Sequence, residues 1–254
     1  MLTAITRVPS LSLPSCELSF LERQPIDVAN ARAQHRAYQD ALRKAGARVV
    51  ELPPLDELPD ACFVEDTAIV LDDIAVLSPM GAMSRRPESE AMAAVLSEYR
   101  PVHWLRPPAT LDGGDVLRLG KTLYVGQTPR TNAAAVEQLC AVLAPRGYRV
   151  VAVPITECLH LKSACTRMDD TTVLLNPAWV DRAVFDGASL LAVADSEPWG
   201  ANAVRAGNTV IFPASEPHTR TAVERKGFTT MAVDVSELQK AEAGVTCLSL
   251  VFED

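Results

Sequence analysis

The sequence predicts an α/β fold, a five-bladed α/β propeller of repeated ββαβ modules around a central channel, in one domain over residues 1–254. Three observations carry this. Pairs of short β-rich runs around tight polar turns recur along the chain. Polar clusters return every 42 to 48 residues, at Glu65, Asp112, His160, Asn202 and Cys247. Stretches with helical spacing fill the gaps. A recurrence at this period marks a repeat architecture in which each unit is one supersecondary module.

Along the chain, LTAITRVPS at the N-terminus reads as a strand without a hairpin mate, and VTCLSLVFED at the C-terminus as another. The two are expected to pair and complete the fifth module. VANARAQHRAYQDALRKAGA places Val28, Ala31, His35, Tyr38, Leu42 and Ala45 near one helical face and ends in Lys44 and Gly46, which predicts an amphipathic helix. Hairpins are expected in TAIVLDDIAVLS, DVLRLGKTLYVG, ACTRMDDTTVLLN and NAVRAGNTVIFP, around Asp-Asp, Gly-Lys, Asp-Asp and Gly-Asn turns, each followed by a helical stretch. RTNAAAVEQLCAVLAPRG predicts a helix with Val136, Leu139, Cys140 and Leu143 on its packed face, stopped at Pro145-Arg146-Gly147. No proline- or glycine-rich linker divides the chain.

With 48% hydrophobic and 22% charged residues, the chain has the balance of a completely folded globular protein. Its 24 basic against 32 acidic residues argue against binding to nucleic acid or an anionic membrane, and suit a small cationic ligand. The N-terminus lacks the basic head and apolar run of a signal peptide or anchor, and no later stretch is long enough for a membrane span. Six scattered cysteines without a CxxC pair are expected to be free thiols in a reducing compartment, so the chain is expected to be cytoplasmic.

In GVTCLSL, Cys247 reads either as a buried strand cysteine or as a nucleophile ending a tight turn after Gly244. His160, in CLHLKSACT, reads as a strand residue opposite Leu159 and Leu161: a hydrogen-bonded core histidine or an acid/base. Asp112, opening DGGD, is a turn residue or the carboxylate that orients a histidine. The repeat register favours the functional readings, because Asp112, His160 and Cys247 occupy the same place in three modules and would converge on one axis. Glu65 and Asp66 are a solvated acidic pair or a cage for a planar cation. Arg85 and Arg130 are helix-entry charges or a clamp on a carboxylate. The four histidines lack zinc-site spacing, and neither a Walker loop nor GxGxxG occurs, so no metal and no cofactor are expected.

The segments LPDACFVED, GAMSRRPE, ATLDGGDVL, PRTN, LHLKS, Ala201-Asn202 and GVTCLS, in this order over nearly the whole chain, resemble the dimethylarginine dimethylaminohydrolases of the guanidine-modifying pentein superfamily. The resemblance implies Cys247 as nucleophile, His160 as general acid/base and Asp112 as its partner. It also implies Asp60, Glu65 and Asp66 near the guanidinium, Arg85 and Arg130 on the α-carboxylate, Leu18 on a loop closing over the substrate, and the Ala241 backbone at the α-amine. In two places the sequence departs from related patterns: some relatives carry glutamate where Asp112 stands, and related deiminases more usually have CMS than CLS after the nucleophile. Arginine deiminases share the architecture but run longer, with an extra helical insertion.

The expected activity is hydrolysis of asymmetric dimethylarginine or monomethylarginine to citrulline and an amine through a covalent cysteine thiouronium. The competing expectations are a deiminase or amidinotransferase acting on arginine, agmatine or another guanidine, and a non-catalytic pentein binding module. The expected partner is the small substrate, with no nucleic acid and no membrane, and a homodimer is compatible with the sequence.

Overall fold

The computed structural model describes residues 1–254. The chain forms two compact units, one of Met1–Glu65 with Asn202–Asp254 and one of Asp66–Ala201.

The first unit holds two three-stranded sheets. In one, Leu2–Arg7 lies between Leu250–Glu253, antiparallel with Leu2 opposite Glu253, and Arg48–Leu52, parallel with Thr3 opposite Arg48. The chain termini therefore pair as the sequence predicts. A parallel pair needs a crossover, and the helix Val28–Lys44 supplies it. Its N-terminus is capped by Asp27, whose carboxylate accepts from the Ala29 and Asn30 amides. Gly46, at φ +94°, turns the chain into the strand. The helix buries Ala31, His35, Tyr38 and Leu42, at the predicted spacing, against Leu13, Ile211, Val245 and Leu248. Full burial of side chains such as Leu42 contributes roughly 1.5–3 kcal/mol each. In the second sheet Val204–Ala206 and Thr209–Pro213 form a hairpin, and Thr229–Val233 runs parallel to the latter after the helix Pro217–Glu224. Gly207 allows the tight turn at φ +58°.

The second unit repeats the design three times. The sheets are Ala68–Val70, Ala75–Leu77 and Val102–Trp104; Val116–Leu119, Thr122–Gln127 and Arg149–Pro154; and Cys165–Arg167, Thr172–Leu175 and Ser189–Ala192. In each, the hairpin is antiparallel and the third strand parallel to the second. Arg86–Leu96 and Ala133–Leu143 are the first two crossovers.

Three local expectations change. The third crossover is only the 3-10 turn Arg182–Phe185, opened by an Asp181 cap and followed by Gly187 at φ +82°, so no α-helix forms there. This module, from His160 to Asn202, is also the shortest of the repeats. In Ala133–Leu143 the buried residues are Ala135, Leu139 and Leu143, one helical ridge, whereas Cys140 is exposed rather than packed. Finally, His160 is not on a strand: it is the N-cap residue of the short helix Leu161–Ala164, with extended backbone at φ −133° and ψ 155°. Apolar neighbours mimicked a strand there because the helix is a single turn.

Candidate active site

In the unit Asp66–Ala201, five of the expected site residues gather. The turn Gly113–Asp115 follows Asp112, and His160 opens the helix Leu161–Ala164. The Asp112 Oδ2 lies 3.2 Å from His160 Nε2, and its Oδ1 accepts from the Gly81 amide at 2.9 Å. On the other side of the ring, Asp66 Oδ1 is 3.8 Å from His160 Nδ1 and accepts from the Gly114 amide. Arg130 Nη1 is 3.7 Å from Asp112 Oδ2. Arg85 donates from Nη1 to Asp66 at 2.8 Å and from Nε and Nη2 to the two oxygens of Glu88. Asp66 and Arg85, expected to serve the two ends of a ligand, are thus also each other's counter-ion.

Two glycines in the motifs are required by this packing. A Cβ on Gly114 would stand 2.6 Å from Asp66 Oδ1 and 2.9 Å from the His160 ring, and one on Gly81 would overlap the Arg130 backbone. The imidazole is only 4% exposed, and burial disfavours its charged form. The Asp66 and Asp115 carboxylates and the hydrogen bond to Asp112 outweigh that, and push its pKa up to about 9. Burial likewise opposes ionisation of Asp66, but His160 and Arg85 hold its carboxyl below the usual range. His160 is therefore an imidazolium at neutral pH, a proton donor that becomes a strong base once it has given the proton away. Atoms of Asp66, Asp112 and His160 lie within 4.8 Å of one another, a spacing a metal ion could use. Gly81, Gly114, Arg85 and His160 already engage those carboxylates, so an ion would displace bonds that are present.

In the unit Met1–Glu65 with Asn202–Asp254, Cys247 sits in the 3-10 turn Thr246–Leu248, half-buried. Asn202 holds that turn: its Oδ1 accepts from the Thr246 amide and its Nδ2 donates to Thr246 Oγ1, both at 3.1 Å. A Cβ on Gly244 would overlap the Asn202 carboxamide. The freed approach lets the Gly244 amide donate to Cys247 Sγ at 3.5 Å, and Thr246 Oγ1 lies 3.9 Å from the sulfur. A hydrogen bond donated to sulfur, as by this amide, favours the thiolate form. Burial instead raises the pKa of Cys16, pushes Cys158 up to about 12 and raises Cys165 further, so these three are packing thiols.

In the same unit, Leu18 is half-buried on the segment between Cys16 and Arg23. Asp60, itself buried, accepts from the Glu17 amide at 3.1 Å. Glu242, beside Ala241, accepts from the consecutive amides of Ser19, Phe20 and Leu21. Glu242 has φ +59°, uncommon for a residue with a side chain. Glu65 is buried, 7% exposed.

The arginine deiminase family model matches residues 54–187. Over 97% of this chain and 95% of its own length, the N(G),N(G)-dimethylarginine dimethylaminohydrolase of Streptomyces coelicolor is 39% identical. The Pseudomonas aeruginosa protein of the same name is 32% identical over 98% of both chains. A solved structure of the Pseudomonas aeruginosa enzyme, a cysteine-to-serine mutant complexed with citrulline, covers 98% of each chain with a TM-score of 0.94. The chain belongs to the dimethylarginine dimethylaminohydrolase family. Its fold is accordingly the pentein α/β propeller of five repeated modules, and it is a hydrolase acting on a C–N bond of a linear amidine.

Four residues that make these contacts were not among the expected site residues: Glu88, Asp115, Asn202 and Glu242. Asp115 carries a signal in retrospect, as the second acid of DGGD, and Asn202 as the repeat-register residue of its module. Glu88 and Glu242 look like ordinary surface acids; Glu88 is distinguished by its burial against Arg85, and Glu242 by amides distant in the chain.

Proposed function

We propose that the protein hydrolyses Nω-methylated arginines, asymmetric dimethylarginine and monomethylarginine, to citrulline and dimethylamine or methylamine. The Cys247 thiolate attacks the guanidinium carbon. The carbon–nitrogen bond to the methylated nitrogen then breaks as His160 gives that nitrogen its proton, leaving a thiouronium on Cys247. His160, now neutral, takes a proton from water as the oxygen bonds to the same carbon. Collapse breaks the carbon–sulfur bond and releases citrulline. Asp112 holds the His160 ring throughout and favours its charged form. Glu65, Asp66 and Asp60 are assigned to the guanidinium end, Arg130 and Arg85 to the α-carboxylate, the Leu18 segment to a loop closing over the substrate, and the Ala241 backbone to the α-amine. Arg85 is shared with Asp66 and Glu88, and Arg130 with Asp112. No metal or cofactor takes part in this scheme, and the free cysteines suit a small-molecule enzyme of the reducing cytoplasm.

The observation that carries the reading is the His160 ring held between the Asp66 and Asp112 carboxylates, which favour its proton-bearing form, since a dialkylamine leaves only if a proton is supplied. Support also comes from membership of the family and from the Gly244 amide donated to Cys247 Sγ. The test is incubation with dimethylarginine, monomethylarginine, arginine and agmatine, with citrulline, carbamoylputrescine, ammonia and methylated amines measured. Citrulline with stoichiometric dimethylamine, abolished in Cys247→Ser, is expected; ammonia from arginine as the preferred reaction would replace this reading with a deiminase.

A further inference from the structure

The unit Asp66–Ala201 contains a fully buried carboxylate to which the reaction scheme gives no part. Asp115 is 0% exposed. Its Oδ1 accepts from the Leu161 amide at 3.0 Å, the first amide after His160. Its Oδ2 accepts from the hydroxyls of Thr128 at 2.7 Å and Thr131 at 2.6 Å. The Thr131 hydroxyl in turn accepts from the Asp112 amide at 3.2 Å. One side chain thus connects the backbone that presents the imidazole to the backbone that presents its partner carboxylate. The room for it comes from Gly126, where a Cβ would lie 2.8 Å from Asp115 Oδ1.

A purely structural tie here would not need a charge. Burial in fact works against one, pushing the Asp115 pKa up to about 6 despite His160 and the three hydrogen bonds. The opposing group is the imidazolium itself: the attraction that favours the Asp115 carboxylate equally favours charged His160. Around Asp115 stand His160, Cys158, the Thr128 and Thr131 hydroxyls and the Leu161 amide. Around His160 stand Asp66, Asp112 and Asp115, with Lys162 and Arg85 acting on Asp66.

We propose that Asp115 is a positioning residue of the hydrolysis: through the Leu161 amide and the Thr131 bridge it sets His160 against Asp112. This rests on His160 being the proton donor. Replacing the carboxylate by a carboxamide keeps its size but removes the charge and turns one acceptor into a donor. Thr131 would then face two donors, the carboxamide and the Asp112 amide, and its own proton would lose its acceptor.

The test compares wild-type protein with Asp115→Asn and Thr131→Val. The readouts are kcat and KM for dimethylarginine across pH, and the His160 ring titration by NMR without substrate. In Asp115→Asn kcat is expected to fall at least roughly tenfold with KM within about threefold, the proportions of a misplaced acid rather than a lost binding contact. Its alkaline limb and the His160 titration both move to lower pH. Thr131→Val keeps the carboxylate and cuts the bridge, so kcat falls while the His160 titration stays near its wild-type position. A folded Asp115→Asn protein with wild-type kcat and an unmoved His160 titration would overturn the proposal. Should Asp115→Asn not fold, a wild-type kcat in Thr131→Val overturns it instead. If the wild-type protein releases citrulline from no methylated arginine, the proposed function fails, and the His160 titration still decides the role of Asp115.

Discussion

Gly114→Ala adds one carbon at the most crowded point of the acid/base cluster. The new Cβ would stand 2.6 Å from Asp66 Oδ1 and 2.9 Å from both Cγ and Nδ1 of His160. Carbon atoms prefer roughly 3.5–4.0 Å from their neighbours, so Asp66 and the ring must retreat by about half an ångström or more. Neither has slack: Asp66 is held by Arg85 and by the Gly114 amide, and His160 by Asp112. Overpacking of this kind costs about 1–3 kcal/mol, which for a chain of this size lowers Tm by roughly 2–12 °C. The kinetic effect is expected to exceed the stability effect, because a displacement on the order of 1 Å in a reacting group costs up to about a hundredfold in rate. Thermal unfolding and steady-state citrulline formation measure the two. A kcat within about twofold of wild type, with Tm lowered as expected, would show that the His160 ring position does not limit catalysis and would refute the geometry.

Folding stability follows from the same histidine. A pKa raised from the ordinary value to about 9 contributes stability that is complete below pH about 6.5 and is lost as pH rises towards 9. The loss amounts to about 3 kcal/mol, and denaturant midpoints across that range should show a slope that His160→Gln abolishes. Arg130→Ala is expected to weaken dimethylarginine turnover by roughly ten- to a hundredfold, the worth of one charge-assisted pair, while leaving a decarboxylated analogue nearly unaffected. Equal losses on both ligands would remove Arg130 from the carboxylate. Glu242→Ala takes the common acceptor from the amides of Ser19, Phe20 and Leu21, so limited trypsin digestion is expected to cut after Arg23 several-fold faster. An unchanged digestion rate would mean that the Arg23 bonds to the Pro14 and Cys16 carbonyls hold the segment alone.

The hairpins were legible in the sequence. The four hairpins depend on turn chemistry and alternation within about a dozen residues, and all four form in the predicted segments. Pairing of the two termini was legible for a different reason: two strands without hairpin mates, in a chain of otherwise complete modules, leave each other as partners. The interval between polar clusters and the motif order were enough to reach the family.

Tertiary packing decided the rest. Cys140 follows the helical period as well as Leu139 does, yet only the sheet opposite determines which ridge is covered, and it covers Ala135, Leu139 and Leu143. The apolar neighbours of His160 suit a strand, but Asp115, 45 residues earlier in the chain, accepts from the Leu161 amide and makes His160 a helix cap. The charge of that histidine, the burial of Asp115 and the hold of Glu242 on three amides have the same character. A carboxylate looks alike in sequence wherever it stands, and its pKa and role come from partners that only folding brings within hydrogen-bond reach. The sequence by itself determined the repeated hairpins and the motifs of the family; the tertiary structure alone decided which acids surround His160, because the residues that meet there are distant in the chain.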